Sequence, residues 1–422
     1  MNNNELLDQM VQRLGRELKS VLLQVEQGQV AAAAVEGLVR QRLWQWAAQA
    51  TAAILEAADE GLVAGKPVHD RRTRTVVTLF GPADLTRSRC QDGSYPLDEA
   101  MGLQGRHGWT VAVQEAVSLL SCECPFQSVS DLLERLLGLQ ISPPAAQEVA
   151  EQAGEQAQAL LAEKPPAPQT AAGKTLILQT DGCQAPQRDG WHEVKIGTLY
   201  ANESRCRTAG GRGKLLGKEY LATLEGVEGF GRQFRERAVA WGVDKARRVV
   251  VMGDGAPWIW NLAQEQFPGA VEIVDFYHAA EHLWAAGEAL FGDREHSAAT
   301  KAWVRHYRHQ LRRGRVDLVM ASLERGRARA SPGLSPERAQ IVRRNLEYFR
   351  TNRHRMRYAQ YRRWRLAIGT GAVEGSCKFV VQARFKRPGA RWSGPGLSQM
   401  LALKIVRLNQ CWESLWPHLK AG

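Results

Sequence analysis

The sequence has 422 residues, 44% of them hydrophobic, and no run of 18 or more apolar residues, so it reads as a soluble chain of two or three domains rather than a helical membrane protein. Its seven cysteines are odd in number and include no Cys-x-x-Cys pair, which argues against a disulfide framework and a zinc ribbon. The net charge of +12 is unevenly spread: residues 301–420 carry 27 Lys and Arg against 6 Asp and Glu, a net +21 that leaves −9 elsewhere. Self-repulsion on that scale costs stability unless a polyanion relieves it, so this Arg-rich third reads as a phosphate-binding surface. The plain alternative is a solvated helical face with excess charge.

The start, MNNNELLDQM, lacks the basic-then-apolar pattern of an export signal, so a cytoplasmic location is expected. Residues 1–63 form a helical region by the three- and four-residue spacing of their apolar positions. Residues 64–163 form a second region. It opens with a hairpin over 72–90, expected to turn at Gly81-Pro82, and continues with helices from 108 to 163. Within it, Ser128 or Ser130 is a candidate helix cap, Gly138 a stop, and Ser142-Pro143 a new start. These are helix-turn-helix proportions, but the second helix holds Glu148, Glu151 and Glu155 and no Lys or Arg before Lys164. An ordinary helical hairpin is equally compatible. EKPPAPQTAAGK, at 163–174, reads as a linker.

Residues 174–422 have a different grammar. KTLILQTDG reads as a buried strand ending in Asp181, WHEVKIGTLYAN as a half-exposed strand, and EYLATLEG as a third. A helix follows, then the strand RRVVVMGDG, the helix PWIWNLAQEQF, the strand AVEIVDFYH and the helix AAEHLWAAGEAL. Three consecutive strands followed by strand-helix alternation predict a mixed five-stranded sheet flanked by helices, an α/β fold. Residues 295–366 read as a basic helical insertion, and GLSQMLALKIVRLNQCWESLW as a closing helix.

Two of these strands end alike, in Asp-Gly. One Asp-Gly is ordinary turn chemistry. Two at the ends of core strands of one sheet can bring carboxylates together. Glu374, in GTGAVEGSCK, is a third candidate, an acid between glycines in the basic third. Converging carboxylates repel one another, yet they suit Mg²⁺, a hard cation that takes oxygen ligands and binds phosphate. Two such ions, about 3.5–4 Å apart, stabilise an in-line phosphoryl transfer. A glycosidase pair is a poor fit beside a +21 segment, and no G-x-x-x-x-G-K-S/T loop is present.

QTDG, GDGAPWIW, VDFYHAAEHL and GTGAVEGSCK together resemble the DDE transposases of bacterial insertion sequences, most closely the Kra-type group and its relatives. FGPADLTRSRC and YPLDEAMGL extend the resemblance over most of residues 72–410. It implies an RNase H-like catalytic core with Asp181, Asp254 and Glu374 as catalytic metal ligands for two Mg²⁺ ions, for which Mn²⁺ can substitute. It implies cleavage at element ends and strand transfer into target DNA, with double-stranded DNA as partner, a homo-oligomer on DNA, a nucleoid-associated location and no membrane. The 119 residues between Asp254 and Glu374 match the helical insertion of that family. Asp275-Phe276-Tyr277-His278 resembles an Asp/Cys-x-x-His signature and places His278 near the scissile phosphate; a helix start capped by Asp275 is the plain reading. Trp258 and Trp260 are expected to pack in the core. Lys378, Arg384, Lys386, Arg387 and Arg391, past Glu374, and Lys214 and Lys218, in the Gly-rich loop GGRGKLLGK, are candidate DNA contacts. Relatives often carry cysteine pairs near RSRCQDGSYPLDEA. Only Cys90 stands there, so no zinc is expected. A DNA-binding protein without catalysis and an RNase H-like nuclease without strand transfer remain open beside the transposase.

Overall fold

Two long helices begin the chain, α1 (Asn3–Glu26) and α2 (Val35–Leu62), tied where the Trp46 indole N–H donates to the Met10 carbonyl at 2.9 Å. The computed structural model describes residues 3–103, 108–163, 171–210, 213–291, 297–330 and 333–417. It divides into two compact units, one running to Ala159 and joined by the segment from Cys411, the other Leu160–Gln410. Most of the expected linker, residues 164–170, lies outside the described residues.

In the first unit, β1 (Val68–Thr78) and β2 (Gly81–Cys90) form an antiparallel hairpin. Its turn is Leu79-Phe80, not Gly81-Pro82: Thr78 pairs with Gly81, and the Phe80 N–H donates to the Thr78 hydroxyl oxygen. The Thr78 side chain thus closes a tight turn two residues earlier than glycine and proline advertise. Carboxylates of α2 accept backbone N–H groups of β2, Glu56 from Thr86 and the buried Asp59 from Ser88, which satisfies strand donors that would otherwise be exposed or orphaned. The short α3 (Pro96–Ala100) brings Asp98 to Arg74 and Arg87. Helices α4 (Val111–Ser121), α5 (Phe126–Leu137) and α6 (Pro143–Glu163) share a core around Val113, Val129, Leu133 and Val149. Gly138 ends α5 in the left-handed region, as expected. Neither Ser128 nor Ser130 caps it: the cap position is Pro125, and the Ser130 hydroxyl bonds back to the Phe126 carbonyl.

In the second unit, β3 (Thr175–Gln187) and β4 (Gly190–Ala201) pair antiparallel along their full length. A small ribbon, β5 (Arg205–Arg207) with β6 (Gly213–Leu215), precedes β7 (Glu219–Thr223). After α7 (Val227–Ala240) come β8 (Arg248–Gly253), α8 (Pro257–Gln266), β9 (Val271–Val274) and α9 (Phe276–Phe291). The sheet order is β7-β4-β3-β8-β9, and only β4 runs against the others. The expected mixed sheet is therefore present. β4 is not half-exposed: its last eight residues are all buried, because the chain past residue 370 covers one face, with Ser376 reaching Thr198 at 2.8 Å, and Phe230 and Phe234 of α7 cover the other at Gly197.

The basic insertion is helical, α10 (Ala298–Arg312), α11 (Val316–Ala330), α12 (Pro336–Thr351) and α13 (Tyr358–Arg363). Its apolar faces join the core of the sheet through Val304, Leu323, Leu346 and Phe349. Then α14 (Gly371–Ser376) runs into a π-helical stretch, Cys377–Gln382, and α15 (Ala383–Phe385). The closing helix is broken in two, α16 (Gly394–Leu408) and α17 (Trp412–Leu415), with Gln410 in the left-handed region between them.

Candidate functional site

Asp181 does not end its strand. β3 continues to Gln187 because β4 keeps pairing with it, whereas the parallel ladder to β8 stops at Gln179↔Met252. Asp181 and Asp254 each lie two residues beyond that last pair, so the register sets them level at the open end of adjacent parallel strands. Ligand sites in α/β sheets form at such carboxyl ends.

The Asp254 loop is both a turn and a presentation device. Asp254 Oδ1 accepts the Ala256 N–H at 2.9 Å, an ordinary Asx turn. Gly255 has φ +114°, and a Cβ there would stand 2.7 Å from the Tyr348 ring. Tyr348, on α12, donates its hydroxyl to the Asp254 carbonyl at 2.8 Å. His282 stacks on Tyr348 with ring centroids 3.5 Å apart, and its Nδ1 lies 2.6 Å from Asn345 Oδ1. Burial pushes the His282 pKa down and the Tyr348 pKa well up, so both are neutral near pH 7.

Glu374 arrives on α14, which three clamps fasten to the sheet. Gln179, buried in β3, accepts the Val373 N–H at 3.1 Å and donates to the Gly369 carbonyl and to Tyr200 Oη. Ser376 reaches Thr198. Asp275, just past β9, takes the N–H and hydroxyl of Thr370 on one oxygen and the N–H groups of Tyr277 and His278 on the other. The Thr370 hydroxyl also lies 3.0 Å from Glu374 Oε1, with one proton for either acid. A Cβ on Gly369 would sit 2.8 Å from the ring of the exposed Tyr277, which would have to shift to admit it.

Electrostatics tie the three acids together. Burial raises the Asp181 pKa first, and the charges of Asp254 and Glu374 raise it further; the Gly182 N–H, 2.7 Å from Oδ1, and the Cys377 thiol, 3.3 Å from Oδ2, oppose the rise. Among the described residues no three His, Cys, Asp or Glu side chains stand close enough together to hold a metal ion. The three acids come from separate elements and are near enough for Asp254 and Glu374 to act on Asp181 by charge, without forming a ready-made metal cage.

His278 lies on the first turn of α9, with its ring 5.0 Å from that of His282 and its Nδ1 3.2 Å from Glu281. Asp275 caps this helix, as the plain reading had it. Trp260 is buried with Arg355 against its ring, and Trp258 is partly buried beneath Lys195, 3.9 Å away. Of the candidate DNA contacts, Lys214, Lys378, Lys386, Arg387 and Arg391 are exposed and Lys218 is half-buried. Arg384 is a correction: it is 4% exposed, with its guanidinium 4.9 Å from the Trp392 ring centroid, and has little surface to give a phosphate. Cys90 is buried at the end of β2.

Sequence reasoning missed Gln179, Tyr348, His282, Thr370 and Cys377. Gln179 had a signal, an amide inside the apolar run of β3. Tyr348 had none, standing 94 residues from the carbonyl it holds. The π-helical stretch after Glu374 also gave no sign, though such distortions are frequent at functional sites.

A family model described as "Uncharacterised protein family (UPF0236)" matches residues 33–413. A curated relative, "UPF0236 protein in vanSb 3'region" from Streptococcus gallolyticus, is 22% identical over 368 residues, covering 85% of this chain and 78% of the relative.

Proposed function

We propose that this chain, which belongs to the UPF0236 family, is a DNA transposase of an insertion sequence built on an RNase H-like core. The observation that carries the reading is the placement of Asp181 and Asp254 level on neighbouring parallel strands, with the Glu374 helix clamped over the same sheet end by Gln179 and Asp275. The strand order, with the second strand alone reversed, is what such a core requires, and the helical insertion between Asp254 and Glu374 fits it too.

Asp181, Asp254 and Glu374 would hold two Mg²⁺ ions, or Mn²⁺ in their place. When bound there, the metal supplies activation of water and of a 3′-hydroxyl and offsets charge at the scissile phosphate. The chain's own residues do the rest. Asp275 and Gln179 fix Glu374 against the sheet, Tyr348 fixes the Asp254 loop, and His278 approaches the phosphate from α9. Lys214, Lys218, Lys378, Lys386, Arg387 and Arg391 would follow the phosphodiester backbone of the DNA. Assembly as a homo-oligomer on paired ends and association with the nucleoid belong to the same reading.

The test is cleavage and strand transfer on labelled linear DNA carrying the element's flanking ends, with Mg²⁺ or EDTA, for wild type and Asp254→Ala. Metal-dependent nicking at the ends and joined products, both lost in the variant while DNA binding persists, is the expected result. Nicking without joining makes the protein a nuclease. Binding without cleavage under either metal makes it a DNA-binding remnant.

A further inference from the structure

A cleft of about 1260 Å³ opens beside the start of α14. Its lining joins Gly371 to the β5–β6 ribbon, which contributes Arg205 and Lys214, and to the end of α13, where Trp364 and Arg365 lie. Glu203 is the one acid in this lining among the described residues, and Arg247 pairs with it at 3.0 Å, so a surplus of positive charge remains. Trp364 is 39% exposed with the Arg248 guanidinium 4.4 Å from its ring centroid. The floor is held in a costly conformation: Arg365 has φ +58°, and its carbonyl accepts from Asn202 Nδ2 at 3.3 Å and from the Arg205 guanidinium at 3.5 Å. Backbone strain of this kind persists where surroundings over-determine it, commonly at binding sites.

The chemistry narrows the occupant. Small-molecule pockets are mostly apolar and span roughly 300–1,000 Å³. This cleft is larger and lined by cations, which suits an extended polyanion. An aromatic ring flanked by cations is the platform on which single-stranded DNA stacks, and a paired base cannot reach such a ring. We infer that this cleft binds an unpaired DNA strand, with Trp364 stacking a base and Arg205, Lys214 and Lys218 on the backbone. The inference rests on the DNA reading of the carboxylate site, and places single-stranded DNA directly beside the helix that carries Glu374.

The experiment compares binding of the full chain, in EDTA, to a labelled blunt duplex and to the same duplex with a single-stranded tail of about four nucleotides. The tail is expected to tighten binding by roughly fivefold to a hundredfold. Trp364→Ala should erase that gain and leave blunt-duplex affinity unchanged, which also reports that the variant is folded; Trp364→Phe should restore most of it. Lys214→Ala combined with Lys218→Ala should lower the salt slope of tailed binding by about 1.4. Equal affinity for blunt and tailed DNA, or equal losses on both in Trp364→Ala, overturns the inference. Asp254→Ala separates the two claims: metal-dependent cleavage that depends on Asp254 but shows no tail preference sinks the cleft alone, whereas a tail preference without any cleavage sinks the catalytic reading alone.

Discussion

Asp254 serves as a turn residue and as a presented carboxylate at once. One oxygen of its side chain closes the Asx turn, and Tyr348 holds its carbonyl from a distant helix. Asp275, 1% exposed, accepts four hydrogen bonds, so its removal costs stability as well as positioning. If Glu374 is a metal ligand, Asp275→Asn, which keeps the side chain's size but weakens its hold on Thr370, should lower metal-dependent cleavage about 10–100-fold. A rise in the Mg²⁺ concentration needed for half-maximal rate, measured where the variant is still fully folded, would mark the loss as positioning. His282 carries a pH effect. Its folded pKa lies below the ordinary 6.5, so the unfolded chain takes up a proton more readily. Its contribution to stability is therefore full above about 6.5 and is lost as pH falls through the lowered folded value. His282→Gln should flatten the decline in stability between pH 7 and 5 in urea titrations; an unchanged slope would show that the stacked ring does not titrate with unfolding. At this scale the sequence shows residues that break a local pattern: the two Asp-Gly pairs, Glu374 among bases, Gln179 among aliphatics. It is silent on residues such as Tyr348 and His282, whose roles arise from contacts across the chain.

Strand and helix identities in the second unit follow from periodicity, and their ends do not. β3 looks finished at Asp181 because the apolar run stops there, yet the antiparallel neighbour β4 carries it on for six residues. β4 looks half-exposed because its sequence alternates, yet α14 lies over the Thr198 face and Phe230 and Phe234 of α7 lie over the Gly197 face. The α14 side of that coverage depends on residues more than 170 positions away and leaves no local trace. The insertion is fastened to the sheet at one buried ion pair, Arg355 with Glu272 of β9 at 2.5 Å, and the same guanidinium covers Trp260. Glu272→Gln removes the countercharge of a buried guanidinium that keeps, among the described residues, only Asn352 Oδ1 and the Trp260 ring, and should lower unfolding free energy by up to about 3–5 kcal/mol in chemical denaturation. A loss below about 1 kcal/mol would show that the apolar face and the Tyr358 and Tyr361 hydrogen bonds to β9 hold the insertion without the ion pair.

Over the whole molecule, the charge asymmetry read from composition has a structural counterpart. The +21 segment includes the four helices of the insertion and the stretch that follows Glu374. Some of that charge is internal, as in Arg355 and Arg384, so counting residues overstates the surface available to DNA. No helix among the described residues is long and apolar enough to cross a membrane. Whether Asp181, Asp254 and Glu374 act as one divalent-metal site, as proposed, is tested without turnover by Mn²⁺ binding followed by electron paramagnetic resonance. With the full chain on DNA ends, wild type should take up about two ions per chain. Asp181→Asn and Asp254→Asn should each lose tight binding while still holding DNA. Equal Mn²⁺ uptake by wild type and both variants would contradict the proposal, leaving Asp254-Gly255 as a turn and Asp181 as an acid within β3.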